Sequence, residues 1–166
     1  MTAELIVFSG LQASGKTTFY RERFTATHVH VSKDAWPHAR NKERRQRHLV
    51  DEHLRAGRSV VVDNTNPTPV EREPLIAIAR VTGAKVVSYS FIVTVDDALR
   101  RNATRQGRAR IEEVGIYSVA KKLIVPSQFE GFDARFEVRL SEKGFLVVAA
   151  IAIPQWLATG CAAPER

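Results

Sequence analysis

A phosphate-binding motif lies near the start of the chain. Residues 10–17 read GLQASGKT, which fits the pattern G-x-x-x-x-G-K-[ST] of a P-loop. In such a loop the glycines let consecutive backbone N–H groups point at phosphate oxygens, and the lysine reaches the β- and γ-phosphates. The apolar run Leu5–Phe8 precedes the motif and a helix-compatible segment follows Lys16, which is the required context. The alternative, a strand–helix turn that binds nothing, leaves this context unexplained.

Asp63 completes a predicted site for ATP and Mg²⁺. It follows the apolar run Val60–Val62, and a carboxylate at that place holds Mg²⁺ directly or through water, together with the hydroxyl of Thr17. Lys16 is the predicted catalytic cation of this site. The predicted nucleotide-binding residues are Gly10, Gln12, Ala13, Ser14, Gly15, Lys16, Thr17 and Thr18.

Asp34 is the candidate general base. It follows the alternating segment His28–Ser32, which predicts a short strand. The carboxyl ends of parallel strands face one crevice, so Asp34 is expected to face the P-loop and to accept a proton from an attacking hydroxyl. The alternative is that Asp34 only caps the next segment. A base at this place favours a kinase over a plain NTPase. We interpret His28 and His30 as strand residues with one partner each, since no further metal-ligating residue stands at ligand spacing.

Two segments are rich in arginine. Residues 40–57 predict a basic helix, and its charges indicate either a solvated face or contacts with the phosphates of a nucleic acid. The helix after Asp97 carries arginines typical of a mobile lid that neutralises charge on the transferred group. The basic residues of the first segment are Arg40, Lys42, Arg44, Arg45 and Arg47, and those of the second are Arg100, Arg101, Arg105, Arg108 and Arg110.

Strands and helices alternate along the chain. This order predicts an α/β fold with a mainly parallel sheet that helices flank on both faces. Residues 1–143 are expected to form a P-loop kinase domain. From Gly144 the pattern stops fitting, so residues 144–166 are expected to be a C-terminal extension, with 145–153 as an added strand and 154–166 as a loosely held tail.

The composition is that of a single globular domain. The 166 residues are 44% hydrophobic, and 25 Lys and Arg against 18 Asp and Glu give a net charge of +7. Such a charge suits a polyanionic partner, although a merely basic protein is an equal alternative. The single cysteine, Cys161, excludes an internal disulfide and favours a reducing compartment. Because neither a signal peptide nor a membrane-spanning run is apparent, we expect a cytoplasmic protein without a membrane partner.

Five segments together resemble a known family. In chain order they are GLQASGKTTFY, HVHVSKDAW, VVVDNTNPTPVEREPLI, RNATRQGRAR and EGFD. They resemble the P-loop 5′-hydroxyl polynucleotide kinases, above all the kinase domain of polynucleotide kinase–phosphatases, and also small bacterial AAA-type ATP-binding kinases. The resemblance covers residues 4 to about 140, and its most specific part is DNTNP at Asp63–Pro67.

The resemblance implies transfer of the γ-phosphate of ATP to a 5′-hydroxyl end of DNA or RNA. It places the general base at Asp34 and the lid arginines at Arg105 and Arg108, with Arg101 as a further candidate. The candidate substrate contacts are Arg40, Arg44, Arg45 and Asn64.

The chain departs from the family at some positions. Pro37 stands where many relatives have an arginine for the nucleic-acid phosphate, and Glu112 stands where relatives often have proline. No phosphatase motif D-x-D-x-T is present, so 3′-phosphatase activity is not expected. The alternatives to a polynucleotide kinase are a P-loop kinase of a small hydroxylated metabolite or nucleoside, and a nucleotide-binding ATPase without an acceptor.

Overall fold

The structure is a computed structural model that describes residues 2–151. Strands and helices alternate as far as α4, after which α5 and then the last two strands follow in succession. Between β2 and α2, and again between α4 and α5, the chain forms short 3₁₀ turns at Lys33–Ala35 and Gly107–Ala109. The strands and helices are β1 (Glu4–Gly10), α1 (Lys16–Arg23), β2 (Val29–Val31), α2 (Lys42–Arg55), β3 (Val60–Val62), α3 (Pro69–Thr82), β4 (Lys85–Phe91), α4 (Val95–Ala103), α5 (Glu113–Lys122), β5 (Ala134–Ser141) and β6 (Gly144–Ala149).

The strands form one sheet in the order β2-β3-β1-β4-β5-β6. The first five strands of this order are parallel, and β6 runs antiparallel to β5. The predicted α/β fold with a mainly parallel sheet is confirmed. Strand β1 lies between β3 on one side and β4 on the other, so the strand order reverses at β1. At such a topological switch point a crevice opens at the carboxyl ends of the strands. The P-loop lies at this crevice.

The core forms on both faces of β1 because its side chains alternate between the faces. Leu5 and Val7 pack with α2 and α3, while Ile6 and Phe8 pack against α1 and the aromatic residues around it. All four of these side chains have no exposed surface. The strand that carries the P-loop is therefore fixed from both sides.

Local capping decides where the helices begin. The side chain of Asn41 accepts a hydrogen bond from the N–H of Arg44 at 2.9 Å, so α2 begins at Lys42 and Arg40 lies before it. Thr68 and Glu71 have the T-x-x-E spacing of a capping box, and the Thr68 hydroxyl caps α3 by accepting a hydrogen bond from the N–H of Glu71. The helix α5 begins at Glu113, after Ile111 and Glu112.

The chain continues past residue 143 as part of the sheet. Gly144 begins β6, so the expected boundary between residues 143 and 144 falls in the turn of the β5–β6 hairpin. The ring of Phe145 packs on Phe19, with 5.1 Å between ring centroids, and lies against Gly15 of the P-loop. The end of the predicted strand beyond residue 151 and the expected tail at 154–166 lie outside the described residues. Within residues 2–151, none of the helices is long and apolar enough to cross a membrane.

Candidate active site

The P-loop needs backbone conformations that favour glycine. Gly10 has φ 147° and Gly15 has φ 95°. A Cβ at Gly10 would lie 2.8 Å from the carbonyl oxygen of Phe91, so only glycine allows β1 and β4 to approach here. The N–H of Gly10 donates to the carbonyl of Thr65 at 3.0 Å, which ties the loop to the segment after β3.

Lys16 is folded back onto its own loop. Its Nζ donates to the carbonyl of Leu11, to that of Gly10 at 3.2 Å and to the hydroxyl of Ser14 at 3.2 Å. Burial lowers the pKa of Lys16 from 10.5 to about 8, with Arg105 acting in the same direction and the carboxylates of Asp63 and Asp34 opposing it. A triphosphate in the loop would offer this cation anionic oxygens in place of neutral carbonyls.

Asp63 and Thr17, the predicted metal ligands, lie in direct contact. The Thr17 hydroxyl donates to Oδ2 of Asp63 at 2.7 Å, and the Asp63 side chain is buried. A hydroxyl and a carboxylate beside a phosphate site are the hard oxygen donors that Mg²⁺ uses, with phosphates and waters completing its octahedron. The donor set therefore fits Mg²⁺. Among the described residues no cluster of three or more His, Cys, Asp or Glu forms a metal cage of its own.

His30 is a neighbour of Asp63 that sequence reasoning did not assign to the site. Its Nε2 lies 2.9 Å from Oδ2 of Asp63, and its ring stacks on Tyr20 with 4.2 Å between centroids. His28 lies just before β2, and its Nε2 is 3.4 Å from Oε2 of Glu4 instead. In the sequence, the alternation around His30 indicated only that this residue lies on a strand. That Asp63 is its partner follows from the parallel pairing of β2 with β3, which the sequence does not show.

Asp34 lies in the 3₁₀ turn after β2. The hydroxyl of Ser32 caps this turn, and the Lys33 N–H donates to Oδ1 of Asn64 at 3.0 Å. Asn64 in turn donates to the side chain of Gln46 on α2. The predicted substrate contact Asn64 thus links the turn of Asp34 to the loop after β3. Within residues 2–151 the Asp34 carboxylate is exposed and forms no hydrogen bond or ion pair.

One cavity of about 270 Å³ brings most of the predicted residues together. Its walls come from the P-loop, the Asp34 turn, the loop after β3 and the lid. The predicted residues that line it are Gln12, Ala13, Ser14, Gly15, Lys16, Thr17, Thr18, Asp34, Asp63, Asn64 and Arg105. Those that lie elsewhere are Gly10, Arg40, Arg44, Arg45 and Arg108.

Asn102 fixes the base of the loop at residues 103–110, the segment predicted to act as a lid. It is buried, donates to the carbonyl of Ile111 at 2.6 Å and accepts from the N–H of the same residue at 3.0 Å. This pair closes the loop over residues 103–110 and holds Ile111 outside α5. Arg105 reaches the cavity and donates to the Ala109 carbonyl at 3.3 Å, whereas Arg108 is exposed. In the third candidate, Arg101, Nη1 is buried without a partner among the described residues.

A buried ion pair supports the loop after β3. Arg72 is 0% exposed and binds Glu130 through two hydrogen bonds, of 2.7 and 2.8 Å. It also donates to the carbonyls of Asn66 and Ile124, while Asn66 donates to the Phe8 carbonyl of β1 at 2.7 Å. These contacts join the VEREPLI and EGFD segments to the P-loop strand, a role that their separation in sequence conceals.

The basic residues of α2 lie beside the Asp34 turn and outside the cavity. The guanidinium of Arg45 lies over the indole of Trp36, 4.9 Å from the ring centroid. Arg40, Arg44 and Arg45 are exposed. Trp36 did not figure among the predicted site residues, since nothing in its spacing indicated a contact with α2.

The fold and the loop geometry define a P-loop kinase fold. Residues 5–119 match the family model described as an AAA domain (AAA_33), and the chain belongs to this family.

Solved structures with the same fold include kinases named for different acceptors. An APS kinase from Mycobacterium tuberculosis, in complex with AMPPNP and APS, is 17% identical with a TM-score of 0.52 over 62% of this chain and 70% of that chain. A fungal RNA kinase is 18% identical with a TM-score of 0.67 over 86% of this chain and 39% of that chain. A chain of the AvrRxo1-ORF1:AvrRxo1-ORF2 complex is 16% identical with a TM-score of 0.68, and the match covers 90% of this chain and 58% of that chain. At these identities the likeness shows the fold and leaves the acceptor open.

Proposed function

We propose that the protein is an ATP-dependent kinase that transfers the γ-phosphate to the 5′-hydroxyl end of a polynucleotide. The observation that carries the proposal is the unpartnered carboxylate of Asp34, which lines the same cavity as Lys16 and the Thr17–Asp63 pair. A carboxylate at this place can accept the proton of an acceptor hydroxyl, which favours a kinase over a protein that only binds the nucleotide.

The residues divide the chemistry among them. The P-loop amides and Lys16 hold the triphosphate, and Arg105 from the lid offsets charge that develops on the transferred group. Thr17 and Asp63 would hold Mg²⁺, which supplies charge neutralisation at the phosphates. The 5′-oxygen of the acceptor bonds to the γ-phosphorus while the bond to the β-phosphate oxygen breaks. The acceptor proton passes to Asp34, and ADP leaves.

The cations of α2 favour a polynucleotide as acceptor. Within residues 2–151 Arg44 and Arg45 of α2 form no ion pair, nor does Arg40 just before this helix. Arg45 lies over Trp36 at the end of the turn that carries Asp34. A strand whose 5′ end reaches Asp34 would bring its following phosphates over this surface. Neutralising those phosphates releases condensed counterions, which favours binding.

A kinase of a small hydroxylated metabolite or nucleoside is the second candidate. It is favoured by the position of the α2 cations outside the cavity, since a small acceptor would touch only the cavity walls. This candidate uses the same Lys16 and Asp34 and differs only in what the basic surface does.

The test is transfer from γ-labelled ATP to a panel of 5′-hydroxyl DNA and RNA oligonucleotides beside a mixed pool of metabolites. Matched oligonucleotides that already carry a 5′-phosphate are the control, and we expect label only on the 5′-hydroxyl strands. Label that appears only in the metabolite pool would overturn the polynucleotide acceptor. ATP hydrolysis without any labelled acceptor would favour the third alternative, an ATPase.

A further inference from the structure

The Trp36–Arg45 pair lies next to Asp34, the proposed general base, but outside the phosphate-binding cavity. Trp36 stands two residues after Asp34, so their Cα atoms are at most about 7.6 Å apart along the chain. A nucleoside extends over a similar distance from its 5′ oxygen to its base. A strand with its 5′-hydroxyl at Asp34 therefore brings its first base to this pair.

The pair places a guanidinium beside an aromatic ring. The indole of Trp36 is half-buried and packs against the core cluster that includes Val31 and Val50, which fixes the ring. The guanidinium of Arg45 lies over this ring at 4.9 Å, yet Arg45 as a residue is exposed. The guanidinium is thus held beside the ring while the Arg45 residue remains accessible to solvent. Guanidinium planes of this kind stack on nucleobases.

The charges around the pair favour an anionic partner. Arg44 and Arg45 lie in the first turn of α2 with Lys42, where the helix dipole is unfavourable for cations. Glu43, the acid of that turn, is paired with Lys33, and within residues 2–151 neither Arg44 nor Arg45 has an ion-pair partner. Such an arrangement costs stability in the free protein, and a phosphate backbone would relieve the repulsion.

We propose that the Arg45 guanidinium, held against Trp36, is the stacking surface for the 5′-terminal nucleobase of the acceptor strand. The inference rests on the proposed polynucleotide kinase function and adds to it the side chain that contacts the first base.

The test compares 5′-hydroxyl oligonucleotides that carry a normal or an abasic 5′-terminal nucleotide. Affinity is measured by anisotropy with a 3′-fluorescent label without ATP, and KM and kcat are measured by transfer. With the wild-type protein, loss of the base should weaken binding and raise KM about tenfold, within the range of a lost stacking contact. The KM for ATP should not change.

Arg45→Lys keeps the charge and removes the planar group. We expect it to bind the normal strand as weakly as the wild type binds the abasic strand, and to discriminate between the two strands by less than twofold. Trp36→Phe should lower the discrimination partially. The matched control Arg55→Lys, at the other end of α2, should retain the full tenfold discrimination.

The outcomes separate the two proposals. Equal binding of normal and abasic strands by the wild type overturns the stacking surface. Equal weakening of both strands by Arg45→Lys also overturns it, because that is the result expected for a phosphate contact. Base-dependent binding without transfer to any oligonucleotide would support the surface and overturn the kinase function. Transfer to oligonucleotides without base-dependent binding would support the kinase function and overturn the stacking surface.

Discussion

The nucleotide half and the proposed acceptor half of the site, which includes Arg45 outside the cavity, differ in how much of their geometry the free protein fixes. Lys16 and Asp63 are buried and hydrogen-bonded within the sheet and its loops. Asp34 and Arg45 are exposed, and Asp34 has no polar partner within residues 2–151. The fold therefore presets phosphate binding, whereas the acceptor half gains its partners only with the ligand.

The difference follows from where each half lies in the fold. The phosphate-binding residues extend from β1 and β3, adjacent strands with fully buried side chains. The acceptor and lid residues lie on a 3₁₀ turn, an exposed helix face and a loop, where few tertiary contacts fix side chains. Substitutions in the two halves should therefore fail in different ways.

Lys16→Ala should have the largest effect. Removing the cation that offsets charge at the transferred phosphate should lower kcat for transfer by about 10³ or more. Measurement at saturating ATP and Mg²⁺, with thermal unfolding as the control for folding, tests this expectation. Transfer within a few-fold of the wild type would show that the P-loop assignment is wrong.

Asp34→Asn should lower kcat by roughly 10² to 10⁴, the range of a positioned general base, while the affinity for ATP changes little. The amide keeps the size of the side chain and removes the proton acceptor, and Asp34→Ala should act alike. Equilibrium binding of ATP and single-turnover transfer separate the two effects. Loss of ATP binding with normal residual turnover would move Asp34 from the acceptor half to the nucleotide half.

Arg105→Ala should lower kcat by up to about 10², more than it weakens ATP binding, because charge on the transferred group is greatest in the transition state. Arg108→Ala should act in the same direction, but only if the lid closes, since Arg108 does not line the cavity in the free protein. A nucleotide-bound structure with both arginines turned away would contradict the role of the lid.

The affinity for ATP should depend on the protonation of Lys16. Because its pKa in the free protein is lowered to about 8, most Lys16 is neutral at pH 9. The triphosphate binds the charged form, so Kd should rise about tenfold between pH 7 and pH 9. Calorimetric titration of the wild type and Lys16→Ala tests this, since the variant should lose the rise.

The same shift has a consequence for stability. Between about pH 8 and pH 10.5 the unfolded chain holds a proton on this lysine that the folded protein has released. The contribution of Lys16 therefore increases the free energy of unfolding as the pH rises through this range. Denaturant unfolding across this range should show a smaller gain for Lys16→Ala than for the wild type. An equal gain in both would contradict the lowered pKa.

The parts that the sequence could predict are those that local patterns encode. The alternation of strands and helices predicted the sheet, and the motif at residues 10–17 with the Asp after β3 predicted which residues surround the phosphate cavity. The helix starts were less exact, because the Asn41 cap and the Asn102–Ile111 pair decide them.

The parts that the sequence could not predict are contacts between distant segments. His30 with Asp63, Arg72 with Glu130 and Arg45 with Trp36 join residues whose proximity depends on strand order and helix packing. No periodicity marks such partners. The catalytic roles of Asp34, Arg105 and Arg108 remain predictions that the experiments above decide.

The salt dependence of oligonucleotide binding tests most directly whether the acceptor half is completed by a polyanionic strand. Each phosphate of a single strand that the protein neutralises contributes about −0.7 to the slope of log K against log salt. The measurement is an anisotropy titration of a 5′-hydroxyl oligonucleotide at several KCl concentrations. The variants are Arg44→Ser with Arg45→Ser, and the matched control Arg55→Ser with Arg58→Ser. We expect the first pair to flatten the slope by about 0.7 unit, because Arg44 contacts a phosphate whereas Arg45 stacks on the base, with ATP affinity unchanged, and the control pair to leave the slope as it is. Equal slopes for the wild type and the Arg44/Arg45 variant would contradict the account and favour a small metabolite as the acceptor.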